Sequence, residues 1–318
     1  MRDFDFMEES EILKSDRNRF QNKWKILQHF VHNKKLIVQD KRVHAFQLFT
    51  SRILQHMNVI HNDISADSDD PESDYDWFEY DSNLFPECRL HVRQRSRPVD
   101  WSDAIGFDNT GNIRVWPSEE ILAYLCIKSS NDFRGKHVCE IGAGMTGLTG
   151  MMLGLSSEVS SVLVTDGNKE CVKNLNVIVK VNKERFGASN INVKQLRWHV
   201  VEDYENLKSC FDYIMVADCL FKEEFHENLL TVMDKVLKSE GEVWILSPRR
   251  GLSIEHFLSK ARKLFTWELK ENFDSLIWSS YSKEKQDLSS SEVVKNFPVL
   301  VKMRKNQNVL NKIESEMS

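Results

Sequence analysis

A chain of 318 residues with 41% apolar content can bury a sizeable core, as one large domain or as a domain carrying an added module. A net charge of −5 gives no surface built for phosphate backbones, so nucleic acid is not an expected partner. No apolar run reaches the ~18 residues of a spanning helix, and the acidic start MRDFDFMEES lacks the apolar centre of a secretory leader. No membrane partner is expected, and the expected compartment is the cytoplasm, with the nucleus as a second. Cys88, Cys126, Cys139, Cys171, Cys210 and Cys219 stand singly, with no CxxC pair. They read as reduced thiols rather than zinc ligands, and no metal is expected.

In chain order, Phe20, Trp24, Leu27 and Phe30 share one face of a helix predicted between Lys14 and Asn33. The alternating run VHAFQLF, from Val43, predicts a strand. Asn62 to Asp81 is dense in Asp and Glu and broken by Pro71, which predicts a solvated linker or loop. CRLHVRQR, from Cys88, predicts another strand, and residues 1–100 together read as an N-terminal extension of helix and strands. FDNTG, from Phe107, is turn chemistry. It leads into IRVWPSEEILAYLCIK, where Pro117 suits a helix start and Glu119 and Glu120 fall in the first turn.

Short apolar runs then alternate with helical patterns. HVCEI, VLVT, NVKQLRW, FDYIMVA and EVWILS are predicted strands. Helices are expected after Gly147, after Lys169, from Glu224 to Leu237 and from Ile254 to Leu264. Such alternation predicts an α/β domain over residues 101–303 with a parallel sheet covered on both faces. FTWELKE and PVLVKM are separated by a polar segment with no strong crossover helix, and predict an antiparallel pair at the sheet edge. Residues 304–318 read as a polar tail.

EIGAGMTG, from Glu140 to Gly147, lies between the first strand of this domain and a helix, where glycines let the backbone turn and approach a ligand. Gly142, Gly144 and Gly147 also fit G-x-G-x-x-G, so a nicotinamide-dependent oxidoreductase is a rival reading. Glu140 ends a strand that should otherwise be apolar, where a carboxylate is costly unless paired. A cationic amino-acid end of a cofactor would account for it, and so would a cap on nearby backbone N–H groups. Asp166 ends the second strand, where a carboxylate can accept two ribose hydroxyls.

Several blocks in order resemble the seven-strand methyltransferases, in the protein-lysine branch that includes the calmodulin-lysine methyltransferases. They are GFDNTGNIRVWPSEEILAY from Gly106, CEIGAGMTGLTG from Cys139, VTDGNKECVKN from Val164, LRW from Leu196, FDYIMVADCLF from Phe211 and SPRRG from Ser247. The resemblance implies a Rossmann-like, seven-stranded class I methyltransferase sheet with an N-terminal helical and β extension. It implies S-adenosylmethionine as methyl donor, S-adenosylhomocysteine as product, and a lysine of calmodulin as acceptor, carried up to trimethyllysine by a monomer. Other proteins' lysines, as in translation factors or chaperones, are the nearest alternative, and a fold kept as a non-catalytic binding module is a further one.

Position by position, the resemblance puts Gly142 and Gly144 along the methionine and ribose of the donor, with Glu140 as the strand-end acid. Asp166 would hold the ribose hydroxyls, flanked by Gly167 and Asn168. Trp198 would lie beside the adenine and Trp116 near the methionine end, with Ala217 facing the donor. Asp218 and Phe221 are the expected catalytic pair. Thr146 stands where many relatives have glycine, and Phe221 where several have tyrosine, so no phenolic hydroxyl is available there.

Methyl transfer needs a lysine lone pair, yet free lysine has a pKa of about 10.4, so desolvation must help expose it. Asp218 is expected chiefly to orient the amine, and Phe221 to face a cation that persists after methylation. Arg249 and Arg250 are expected either to grip acidic residues around the target lysine or to form a solvated turn.

Overall fold

The computed structural model describes residues 46–54, 75–82, 84–95, 115–286 and 297–306. The helix predicted between Lys14 and Asn33, the FDNTG turn and most of the polar tail lie outside the described residues.

Two sheets form. β1 (Thr50–Ile53), β2 (Tyr75–Ser82) and β3 (Phe85–Arg95) make an antiparallel sheet in that order. The larger, seven-stranded sheet is built from β4 (His137–Ile141), β5 (Ser161–Asp166), β6 (Asn190–Gln195), β7 (Phe211–Ala217), β8 (Leu237–Pro248), β9 (Phe265–Lys270) and β10 (Pro298–Lys305). Its order is β6-β5-β4-β7-β8-β10-β9. β4 to β8 run parallel, and β10 lies antiparallel between β8 and β9. This is the class I methyltransferase sheet. The predicted antiparallel pair is present, with β9 at the edge.

Among the described residues, six α-helices accompany it: α1 (Pro117–Lys128), α2 (Leu148–Ser156), α3 (Lys169–Asn182), α4 (His226–Val236), α5 (Ser253–Ala261) and α6 (Ser275–Gln286). Successive strand side chains point to opposite faces, and the core divides accordingly. Val138, Val162, Val164, Met215 and Trp244 pack with α1, α2 and α3, and with Tyr80, Leu90 and Val92 of the smaller sheet. Cys139, Ile141, Ile214, Val216, Val243 and Ile245 pack with Leu229, Leu230 and Met233 of α4 and Phe257 of α5. Five of the six cysteines are buried as free thiols, and Cys210 is partly exposed.

Two asparagines of α3 tie the smaller sheet to the larger layer. Asn182 accepts from the His91 amide at 2.9 Å and donates to its carbonyl at 2.7 Å. Asn174 donates to the Arg93 carbonyl at 2.9 Å and to Met145 in the glycine loop at 2.7 Å. These bonds satisfy backbone groups on β3 that would otherwise lack strand partners.

Three expectations are corrected. Of the strand expected from Val43, residues 43–45 lie outside the described residues, while Phe46 to Phe49 form a turn with Gln47 at φ +54 and a strand follows at Thr50. Buried Glu120 accepts the amides of Phe46 (3.2 Å) and Leu48 (2.9 Å), satisfying that turn. The acidic stretch expected as a loop to Asp81 becomes strand β2 from Tyr75, because Trp77 and Tyr80 supply buried side chains among the acids. Glu79 there is buried and paired with Arg52 and His91. Finally, the polar segment between β9 and β10 holds α6. Asp274 caps it by accepting the amides of Leu276 (2.9 Å) and Ile277 (3.1 Å). Only Ile277 of this helix is buried, so no apolar stripe announced it.

Candidate cofactor and lysine site

A cleft opens where the parallel strands end, the usual ligand side of an open α/β sheet. Gly142, Asp166 and Gly167 line it from the ends of β4 and β5, and Trp198 from beyond β6. Ala217, Asp218 and Phe221 line it from the end of β7, and Trp116 from the start of α1. Eight of the thirteen positions expected at the site are thus brought together.

Gly142 has φ +73, and a Cβ there would stand 2.6 Å from the Cys219 sulfur and 3.7 Å from the Trp198 ring. Only glycine leaves this part of the cleft open. Asp166 is 9% exposed and accepts the amides of Gly144 and Asn168, each at 2.8 Å. Those bonds orient the carboxylate at the edge of the cleft, where a carboxylate is suited to accept a vicinal diol. Trp198 is held by its neighbour: Arg197 donates to Asp203 through its backbone amide (2.9 Å), Nε (2.8 Å) and Nη2 (2.9 Å). The flat indole, the oriented acid and the bare glycine backbone fit an adenosine with an attached amino-acid tail.

Five expected residues are placed otherwise. Gly144 supports Asp166 through its amide. Asn168 caps α3, accepting the amides of Glu170 (2.7 Å) and Cys171 (3.2 Å). Glu140 is buried, and its carboxylate accepts the Gly150 amide in the first turn of α2 at 2.9 Å. Of the two readings of Glu140, the cap on a backbone N–H is present as this bond. Arg250 is half-buried and reaches Asp218, with Nη1 and Nη2 donating to its two carboxylate oxygens at 2.6 and 2.9 Å. Arg249 is exposed and lies between Glu255 (3.6 Å) and Glu271 (3.1 Å).

The largest contribution missed by sequence reading is Glu119. Its carboxylate accepts the Thr146 hydroxyl and the Leu148 amide, both at 2.8 Å, so α1 is bonded to the glycine loop and to the start of α2. The threonine that departs from the family pattern thus uses its hydroxyl. Glu119 and Glu140 together neutralise the amino end of α2, a favourable place for carboxylates. Burial nevertheless pushes Glu119 up to about 7. Burial, reinforced by the charge of Glu119, pushes Glu140 well above the usual carboxylate range. Cys219, inside the FDYIMVADCLF block but given no role there, also lines the cleft, as do His199 and Phe225, which lie outside every quoted block. The first backs Gly142, its thiol donating to the carbonyls of Ala217 (3.3 Å) and Ile141 (3.6 Å). Asp218 has φ +54, a left-handed conformation that costs about 1 kcal/mol outside glycine.

The cleft and the strand order define a class I methyltransferase, and the antiparallel β10 inside the sheet separates the protein from the dinucleotide-binding oxidoreductases that share the glycine pattern. A family model described as lysine methyltransferase matches residues 106–264, half of the chain. The calmodulin-lysine N-methyltransferase of Arabidopsis thaliana is 34% identical over 57% of this chain and 60% of its own length. The mouse protein-lysine methyltransferase METTL21E is 31% identical over 56% of this chain and 72% of its own. The crystal structure of a predicted O-methyltransferase from Agrobacterium tumefaciens superposes with a TM-score of 0.41 at 14% identity, covering 58% of this chain and 80% of that one. The chain belongs to the lysine methyltransferase family.

Proposed function

We propose that the chain transfers methyl groups from S-adenosylmethionine to the ε-amine of a lysine in calmodulin, up to trimethyllysine. The observation that carries this reading is one continuous cleft with two unlike ends. Asp166, Gly142 and Trp198 suit a nucleoside and its tail, whereas Asp218 and Phe221 offer an acceptor and an aromatic face to a second, cationic guest. The 34% identity to the Arabidopsis enzyme supports calmodulin as that guest.

Bound S-adenosylmethionine would supply an activated methyl on a sulfonium. The residues of the chain then have three tasks. Asp166 and Trp198 would hold its nucleoside. Phe221 and Phe225 remove water around the lysine stem, which favours the neutral amine. Asp218 accepts a hydrogen bond from that amine and aims its lone pair; orientation alone can supply several kcal/mol.

The test is to incubate the purified protein and labelled donor with calmodulin, and separately with a cell extract, then identify labelled peptides by mass spectrometry. Trimethyllysine in calmodulin is the expected result. Label confined to another protein's lysine would move the substrate to the METTL21E-like reading, which the 31% identity to that relative favours. Absence of label in any protein would overturn the proposal.

A further inference from the structure

A carboxylate beside the target amine raises a chemical difficulty. It would stabilise the ammonium form, which has no lone pair to give. Asp218 is in that position, yet it does not stand there as a lone negative charge. Its carboxylate is 7% exposed and is held by both Nη groups of Arg250. Arg250 comes from the turn after β8. Its guanidinium carbon lies 5.8 Å from the centre of the Trp116 ring, within cation–π range. One side chain therefore joins the β7 end, the β8 turn and the start of α1, and two of the groups it contacts line the cleft.

We infer that Arg250 is a positioning residue for methyl transfer: it clamps the Asp218 carboxylate and cancels its charge, so that Asp218 orients the incoming amine without holding it as ammonium. This rests on the lysine-transfer reading above. It differs from a grip on acidic substrate residues, because the guanidinium's forked face is already occupied by Asp218. A carboxylate with a bidentate guanidinium partner keeps outer lone pairs, so it still accepts a hydrogen bond from the amine. The proton of the ammonium leaves to solvent before attack. The nitrogen lone pair then forms the N–C bond as the C–S bond breaks, and its electron pair stays on sulfur, yielding the thioether.

Other charged or titratable groups face the same space. Asp166 lies at the opposite end of the cleft, and His199 and Arg197 beyond β6, with Arg197 bound to Asp203. Cys219 follows Asp218, its thiol raised well above its ordinary value chiefly by burial and next by the charge of Asp218. None of these residues is itself substituted in variants at 218 and 250; Cys219 senses the Asp218 charge, but burial, the larger cause, keeps its thiol raised in all of them, so a difference between variants reports the clamp.

The experiment measures single-turnover methyl transfer to the accepted protein substrate from pH 6.5 to 10 for wild type, Arg250→Ala, Arg250→Lys and Asp218→Asn. S-adenosylhomocysteine affinity is measured by calorimetry and folding by thermal denaturation. Arg250→Ala leaves Asp218 unbalanced, so its rate midpoint should move up by about one pH unit, a tenfold loss on the acid side. Asp218→Asn leaves the guanidinium unbalanced, so its midpoint should move down, whatever its amplitude. Arg250→Lys should restore most of the wild-type midpoint, and affinity for the product should stay within about twofold. A loss of equal factor at every pH, or a rise in substrate KM with unchanged midpoints, would overturn the inference. If Arg250→Ala does not fold, the opposite displacement of Asp218→Asn and the rescue by lysine still decide it. A wild-type protein that methylates nothing defeats the lysine reading itself, and the clamp with it, while product binding by calorimetry would still show whether the nucleoside half of the cleft is correct.

Discussion

Glu119→Gln should change how the stability of the protein depends on pH. Glu119 is fully buried between α1 and the glycine loop, and its folded pKa is about 7 against 4.5 for the free side chain. Because the folded value is the higher one, the native state holds more protons than the unfolded chain between those limits. The associated stability is fully present below about pH 4.5 and is lost as the pH rises to about 7. A difference of about 2.5 units, at ~1.4 kcal/mol per unit, corresponds to about 3 kcal/mol. Glutamine keeps an oxygen for the Thr146 hydroxyl and the Leu148 amide but does not ionise. Losing the Glu119 charge also relaxes Glu140, which that charge pushes upward. Thermal melts from pH 5 to 8 should show wild type declining relative to the variant, by several degrees in Tm over that range. Parallel curves would show that Glu119 does not ionise with folding as its burial requires, and the reasoning would fail.

Gly142→Ala should lower S-adenosylhomocysteine affinity by at least tenfold in calorimetry, since its Cβ would meet Cys219 at 2.6 Å and the backbone holds φ +73. Affinity unchanged from wild type would mean that the cleft lies elsewhere. Glu120→Ala should destabilise the fold by about 3 kcal/mol in urea denaturation, because two amides near Phe46 and Leu48 lose a buried acceptor.

How much of this was legible depended on whether the signal was local. β4, β5, β7 and β8 are apolar runs closed by glycine or polar punctuation, so hydrophobicity alone located them. Gly142 and Asp166 sit at the strand ends where the pattern put them. The side-chain partners were not legible, because each spans a large gap in sequence. Glu119 and Thr146 are 27 residues apart, and Glu120 and Leu48 are 72 apart. Near Pro117 these acids read as helix-start charges, yet the helix turns both into other elements as acceptors. Arg250 illustrates the same difficulty from the other side. As one of two adjacent arginines after a strand it suggested a surface patch, and only the fold brings it onto Asp218, 32 residues away. α6 failed for a different reason: a helix with one buried residue has no periodicity to read, and its start depends on the Asp274 cap.

Asp166, Glu119 and Glu140 also act on one another. Asp166 raises both of the others, and Glu119 raises Glu140. Three mutually repelling acids beneath one loop are costly unless a cation shares their field. S-adenosylmethionine carries one more positive charge than its product, so its binding should draw these acids toward their ionised forms and release protons. Burial brings Glu119 up to about 7, so its proton is the one most readily drawn off near neutral pH, with less than one proton expected to be released. Calorimetric titrations of donor and product, each in phosphate and in Tris, would read that number from the dependence of the heat on buffer ionisation. The donor should release more than the product at pH 7, the gap should narrow above pH 8, and it should shrink in Glu119→Gln. Equal release for both ligands would mean the acids do not sense the sulfonium. The cost of burying them would then have to be met by the helix and loop amides alone.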